Sequence, residues 1–209
     1  MKIEMMPLGL LGTNCYIIYN EQEALIVDPG AEAEKVINFI EKINVKPLAI
    51  LLTHAHFDHI GGVEAIRTHY HIDVYLHNEE AHWLEEPSLN GSTAFDREPV
   101  KTTLPEHELK PGQMKLSSFE FNVIHTPGHS PGSVSFIFEE QGFIMSGDVL
   151  FRQGVGRTDL QGGSMQVLKD SIRNKLYQLE DAYTVYPGHG TFTTIGAEKL
   201  ENPFVPAME

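Results

Sequence analysis

The chain is poor in the features that mark several protein classes. It has one cysteine, Cys15, so no internal disulfide can form. Cys15 lies in Thr13-Asn14-Cys15-Tyr16-Ile17, which reads as a strand without a nearby partner histidine, and a small buried hydrophobe is the expected role. Basic residues are scarce: 15 Lys and Arg stand against 29 Asp and Glu, a formal charge of −14. Phosphate backbones need Lys and Arg in patches, and none is present, so nucleic acid is not an expected partner. No run approaches the ~20 apolar residues of a membrane span, so no membrane partner is expected either. No apolar segment with a small-residue cleavage site follows Met1-Lys2-Ile3-Glu4, and the cytoplasm is the expected compartment. Tandem repeats, low-complexity tracts and a dividing linker are also lacking. A single domain over 1–209 is expected, and the oligomeric state stays open.

What is present is an ordinary globular composition, 41% hydrophobic and 21% charged, with enough apolar material for a sizeable core. Segments 3–8, 15–19 and 24–27 read as strands, the first two separated by Gly12-Thr13-Asn14. Asp28-Pro29-Gly30 then opens a helix with Val36, Ile37, Ile40 and Ile43 on one face. The continuous apolar run 48–52 suits a strand covered on both sides. A second helix is expected from His59 to about Tyr70. The stretch 79–112, with a short helix near 79–84 and Pro87, Asn90-Gly91, Pro99 and Pro105, reads as a long surface excursion. Strands resume at 119–124, 133–138 and 143–145. A helix around 165–179 repeats Val167, Leu168, Ile172, Leu176 and Leu179 at helical spacing. A strand at 183–186 and a helix near 195–200 close the pattern. Two sets of strands flanked by helices predict an α/β fold, an αββα four-layer sandwich of two sheets inside two helical layers.

The strongest chemical signal is Thr53-His54-Ala55-His56-Phe57-Asp58-His59, placed where a buried strand ends and a helix begins. α/β proteins build their sites at such strand ends. Neutral imidazole and carboxylate are the donors that suit zinc and related divalent ions. Three further segments have one form, a strand, a Gly-bearing turn and a ligand-type residue: Thr126-Pro127-Gly128-His129, Ser146-Gly147-Asp148 and Pro187-Gly188-His189. Each is weak alone; their repetition raises the odds that all serve one centre. The other histidines, His69, His71, His77, His82, His107 and His125, are scattered in polar surroundings and read as surface residues.

The run His54 to His59, followed in order by His129, Asp148 and His189, resembles the metallo-β-lactamase superfamily over nearly the whole chain, Val27-Asp28-Pro29-Gly30 included. Gly147-Asp148-Val149-Leu150-Phe151 and Gly154-Val155-Gly156-Arg157-Thr158-Asp159 resemble its glyoxalase II branch, and the short single-domain members most of all. The resemblance implies two divalent metal ions, zinc first with iron or manganese possible. By position, His54, His56 and His129 would hold one ion, Asp58, His59 and His189 the other, and Asp148 would bridge them. It implies hydrolysis of a small-molecule thioester such as S-lactoylglutathione by a metal-bridging hydroxide, with Asp58 orienting it. Arg157 would grip the thiol carrier, or make a surface salt bridge to Asp159. Asp28 would accept a hydrogen bond from a ligand histidine, or cap its turn.

Two departures stand out. No counterpart is expected of the C-terminal helical domain that binds glutathione in full-length glyoxalase II, and Thr191 replaces the family's tyrosine two residues after the last histidine. One rival is a mononuclear iron dioxygenase acting on persulfides, in the same superfamily, using His54, His129 and Asp148. Other rivals are a non-catalytic metal-binding or partner-binding protein and, against the acidic charge, a nuclease.

Overall fold

The first three strands form an antiparallel meander: β1 (Lys2–Leu8), β2 (Thr13–Tyr19) and β3 (Glu23–Val27). The turn between β1 and β2 falls at Gly9–Gly12 and is closed by Gly12 N–H donating to Gly9 O at 3.3 Å. Thr13 and Asn14, expected in the turn, are the first residues of β2. Both are buried, which suits a strand covered on both faces. The computed structural model describes residues 1–95 and 98–206. The chain divides into two compact units, Met1–Leu109 and Lys110–Glu209.

In the first unit the sheet continues in parallel with β4 (Lys46–Leu51), β5 (Asp73–Leu76) and β6 (His107–Glu108), in the order β1-β2-β3-β4-β5-β6. Parallel neighbours need helical crossovers. Helix α1 (Ala33–Ile43) joins β3 to β4, and its Val36 and Ile40 enter a core with Ile17, Ile26 and Ile50. Between β4 and β5 the expected single helix is two pieces, α2 (Phe57–Ile60) and α3 (Val63–Tyr70). The break comes where Gly62 N–H donates to Pro29 O at 2.8 Å, a bond outside the helical ladder. β5 went unread in the sequence because it has only four residues, of which just Val74 and Leu76 are buried.

The second unit has its own six-stranded sheet. Its strands are β7 (Gly112–Leu116), β8 (Phe119–His125), β9 (Val134–Phe138), β10 (Phe143–Gly147), β13 (Thr184–Pro187) and β14 (Thr193–Thr194). The order is β14-β13-β10-β9-β8-β7, and β10–β13 is the parallel pair. A small hairpin of β11 (Leu150–Phe151) and β12 (Gly154–Val155) follows β10. Helix α4 (Met165–Asn174) and a 3-10 turn at Leu176–Gln178 replace the longer helix expected there. Leu168, Ile172 and Leu176 pack into a core with Ile144 and Val185, whereas Val167 faces solvent. Helix α5 (Ile195–Glu201) starts at a Thr194 cap whose hydroxyl accepts from Ala197 N–H. Among the described residues no helix is long and apolar enough to cross a membrane.

Candidate metal centre

The histidine-rich loop leaves the C-terminal end of β4. His54 and His59 are fully buried, and the rings of His54, His56 and His59 crowd together, with His54 centroids 4.8 Å from His56 and 4.1 Å from His59. Asp28, just past β3, organises them. Its Oδ1 accepts Thr53 N–H at 2.8 Å, and its Oδ2 accepts the Thr53 hydroxyl at 2.6 Å and His59 Nδ1–H at 3.0 Å. A hydroxyl donating its only proton to Asp28 must accept from His54 Nδ1, 3.0 Å away. Both imidazoles thus carry their proton on Nδ1 and offer Nε2 as a donor to a cation. Asp28, His54 and His59 have ligand-type atoms within 4.8 Å of one another. Asp28 is nevertheless engaged on the Nδ1 side, so it acts through the histidines. It holds that place at φ 48, a left-handed conformation that costs energy for a residue with a Cβ.

Neighbouring side chains hold the rest of the loop. Thr13 Oγ1 donates to Asp58 Oδ2 at 2.6 Å, and that oxygen lies 3.6 Å from His59 Nε2. Glu80 is fully buried and accepts Ala55 N–H at 2.6 Å. Asn90 O accepts Phe57 N–H at 3.0 Å, while Asn90 Nδ2 donates to Trp83 O and Val100 O. The Trp83 ring sits 5.9 Å from that of His56. The 3-10 helix Asn78–Leu84 and the chain after it, read from the sequence as a surface excursion, therefore clamp alternate N–H groups of the loop. The sequence hid Thr13, Thr53, Glu80 and Asn90 in this role. Only Thr53, beside the first histidine, had any signal.

Gly30 permits a close approach. A Cβ there would stand 1.6 Å from Asp58 O.

In the second unit three strand ends converge. His129 follows β8, Asp148 follows β10 and His189 follows β13. Asp148 Oδ2 lies 3.6 Å from His129 Nε2 and 3.5 Å from His189 Nε2. Two donors each about 2.0–2.1 Å from one tetrahedral ion stand roughly 3.3 Å apart, so both spacings suit ligands better than hydrogen bonds. His129 Nδ1–H donates to Arg157 O at 2.7 Å, which again leaves Nε2 as the coordinating atom. The Arg157 side chain turns the other way, donating from Nε and Nη2 to Asp159 at 2.7 Å each. That bidentate bond raises the guanidinium pKa and holds the exposed Asp159 carboxyl down at about 2. Gly156 packs against this group, since a Cβ there would lie 1.9 Å from Asp148 O and 2.9 Å from His129 Nδ1.

Cys15 is buried, and burial pushes its thiol well above the ordinary range, as befits an inert core residue. The donor sets of the two units, imidazole Nε2 atoms with acidic oxygens and every traced Nδ1 already bonded to a fixed acceptor, fit a divalent metal.

The model of the metallo-β-lactamase superfamily matches residues 8–189. The chain belongs to this superfamily. It is 42% identical over 206 residues to the probable metallo-hydrolase YqgX of Bacillus subtilis, with 98% of each chain covered. It is 38% identical over 208 residues to the hydroxyacylglutathione hydrolase GloC of Haemophilus influenzae, again with 98% of each covered. Among solved structures, the BLEG-1 B3 metallo-β-lactamase superposes with TM-score 0.96 at 48% identity, covering all of both chains. TTHA1623, crystallised in a di-iron-bound form, gives 0.89 at 40%, covering 97% of this chain and all of that one. The fold is the metallo-β-lactamase fold, and both curated relatives carry hydrolase names.

Proposed function

We propose that the chain is a dinuclear metal-dependent thioesterase of glyoxalase II type, hydrolysing S-lactoylglutathione or a related thiol-carrier thioester in the cytoplasm, its two units acting as one domain. In this reading His54, His56 and His129 hold one ion, Asp58, His59 and His189 hold the other, and Asp148 serves both. The carrying observation is the position of one Asp148 oxygen, 3.6 and 3.5 Å from the Nε2 atoms of the two histidines assigned to different ions. The thioester assignment draws on the similarity to GloC.

When bound, two divalent ions supply Lewis acidity and activate water near neutral pH. The chain's own residues do the rest. Asp28 and the Arg157 carbonyl keep His54, His59 and His129 in the Nδ1–H tautomer, so each presents a lone pair in a fixed direction. In this reading Asp58, whose Oδ2 accepts from the Thr13 hydroxyl, orients the attacking water and holds its proton. Asp58 and Asp148 bring only two negative charges, so a site loaded with two divalent ions would stay positive and would favour the negative charge that develops in acyl transfer. Arg157, on an exposed loop, is the grip on the thiol carrier once it leaves Asp159.

The test is elemental analysis of protein purified without added metal, followed by turnover of S-lactoylglutathione, a persulfide and a β-lactam. Two metals per chain with thioester hydrolysis supports the reading. One iron per chain with oxygen uptake on the persulfide replaces it with the dioxygenase. Preferential β-lactam cleavage, motivated by the similarity to BLEG-1, replaces it with a lactamase. Metal retained without turnover of any of the three leaves a binding protein.

A further inference from the structure

The turn joining β1 to β2 is unusual in its chemistry. Its four residues are Gly9-Leu10-Leu11-Gly12, closed by the Gly12 N–H to Gly9 O bond, and the two central positions, ordinarily polar, are leucines. Leu10 is 81% exposed and Leu11 44%. Large apolar side chains left in water at a loop tip lose the benefit of burial, and such a patch marks a surface that meets a ligand or partner. The turn is tethered on both sides. Gly9 N–H donates to Glu32 Oε2 at 3.2 Å, and Thr13 Oγ1 donates to Asp58 Oδ2.

Beside the turn lies a cleft of about 290 Å³ within the first unit. That is just below the ~300–1,000 Å³ that enclose a whole drug-sized ligand, and it suits one arm of a substrate. Leu10, Leu11, Phe57 and Val100 give it apolar walls. Among the described residues its ionisable lining is Glu32, Asp58 and Glu98, three carboxylates and no Lys, Arg or His. Lys35, 3.8 Å from Glu32, lies outside the lining, and so exposed a pair is well screened. With Asp58 assigned to the metal centre, Glu32 and Glu98 are the like charges that a negatively charged group would meet at the outer end of the cleft. Asp58 connects the cleft to the candidate metal centre.

We propose that this cleft receives the acyl group of the substrate, and that it selects acyl groups that are apolar and carry no negative charge. The thiol carrier, whose carboxylates suit Arg157, lies elsewhere. The inference rests on the thioesterase reading for its substrate, and on the cleft's own lining for its selectivity.

Two measurements on the metal-loaded protein test it. The first is kcat/KM for N-acetylcysteamine thioesters carrying acetyl, butyryl, hexanoyl and succinyl groups. From butyryl to hexanoyl the rate constant rises about fourfold per methylene, and succinyl is the poorest of the series. In the Leu10→Ser/Leu11→Ser double variant the gain falls below about twofold per methylene, and in Glu32→Gln/Glu98→Gln the penalty on succinyl shrinks. The second needs no turnover: hexan-1-ol is titrated while backbone amide resonances are followed. Shifts at residues 9–12 and 30–32 support the cleft. If those amides move and no thioester is hydrolysed, the cleft stands as an apolar site and the thioesterase reading fails. A series flat in chain length, succinyl equal to butyryl, or hexanol shifts confined to other residues overturns the proposal.

Discussion

The two units hold their histidines by different means. In the first, four ligand-type residues fall between positions 54 and 59, and side chains fix them: Asp28 and Thr53 for His54 and His59, Thr13 for Asp58. In the second, His129, Asp148 and His189 come from three separate strand ends, and the main chain supports them. Arg157 O accepts from His129, and Gly188 N–H donates to Gly147 O at 2.8 Å, joining the two turns that carry Asp148 and His189. A side-chain network can be dismantled one substitution at a time. A main-chain scaffold is indifferent to most side-chain changes and vulnerable where the backbone needs room.

The sharpest way to break this comparison is Asp148→Ala, the residue shared by both proposed ions. Metal content and thioester turnover should both collapse, turnover by at least about a thousandfold; elemental analysis and kcat report them. Turnover near wild type would end the bridging role. Next comes Gly156→Ala, which drives a methyl into Asp148 O. Overpacking of this kind costs about 1–3 kcal/mol or more, so Tm should fall by roughly 5–10 °C and metal content with it. An unshifted melting curve would show that the main chain yields easily there. Third, Asp28→Asn removes a carboxylate from three hydrogen bonds and should weaken metal affinity by about 10–100-fold. Thr53→Val, which severs the link to His54 and leaves that to His59, should fall at the lower end of this range in a chelator competition.

Smaller effects separate the two faces of Arg157. Arg157→Ala should leave metal content alone, because the carbonyl, not the guanidinium, supports His129; a several-fold rise in KM for the thioester is the expected change. The same substitution should return the Asp159 carboxyl from about 2 toward the ordinary value near 3.9, read by carboxyl NMR titration. Since the folded-state pKa is depressed, the pair's contribution is complete above about pH 4 and is lost as pH falls through about 2.

Much of the framework was readable in the chain. The apolar stripe of Val36 and Ile40 placed α1, and the run ending at Leu52 placed β4 and with it the histidine loop, because these patterns report burial directly. Shorter elements escaped. β5 and β6 have four and two residues, too few for a period to emerge, and both owe their place to parallel pairing with a distant strand. The turn before β2 was misplaced because Thr13 and Asn14, polar residues with turn character, are buried as strand.

The sequence by itself determined which residues could ligate a metal, since donor chemistry belongs to the side chain, and it determined the family, since seven such residues appear in a recognisable order. Tertiary structure alone decided how they are held. Glu80 reaches Ala55, Asn90 reaches Phe57 and the Arg157 carbonyl reaches His129 across separations of 25 to 33 positions. Hydrogen bonds depend on where atoms lie in space, and no local pattern of residues encodes a partner that only folding brings near.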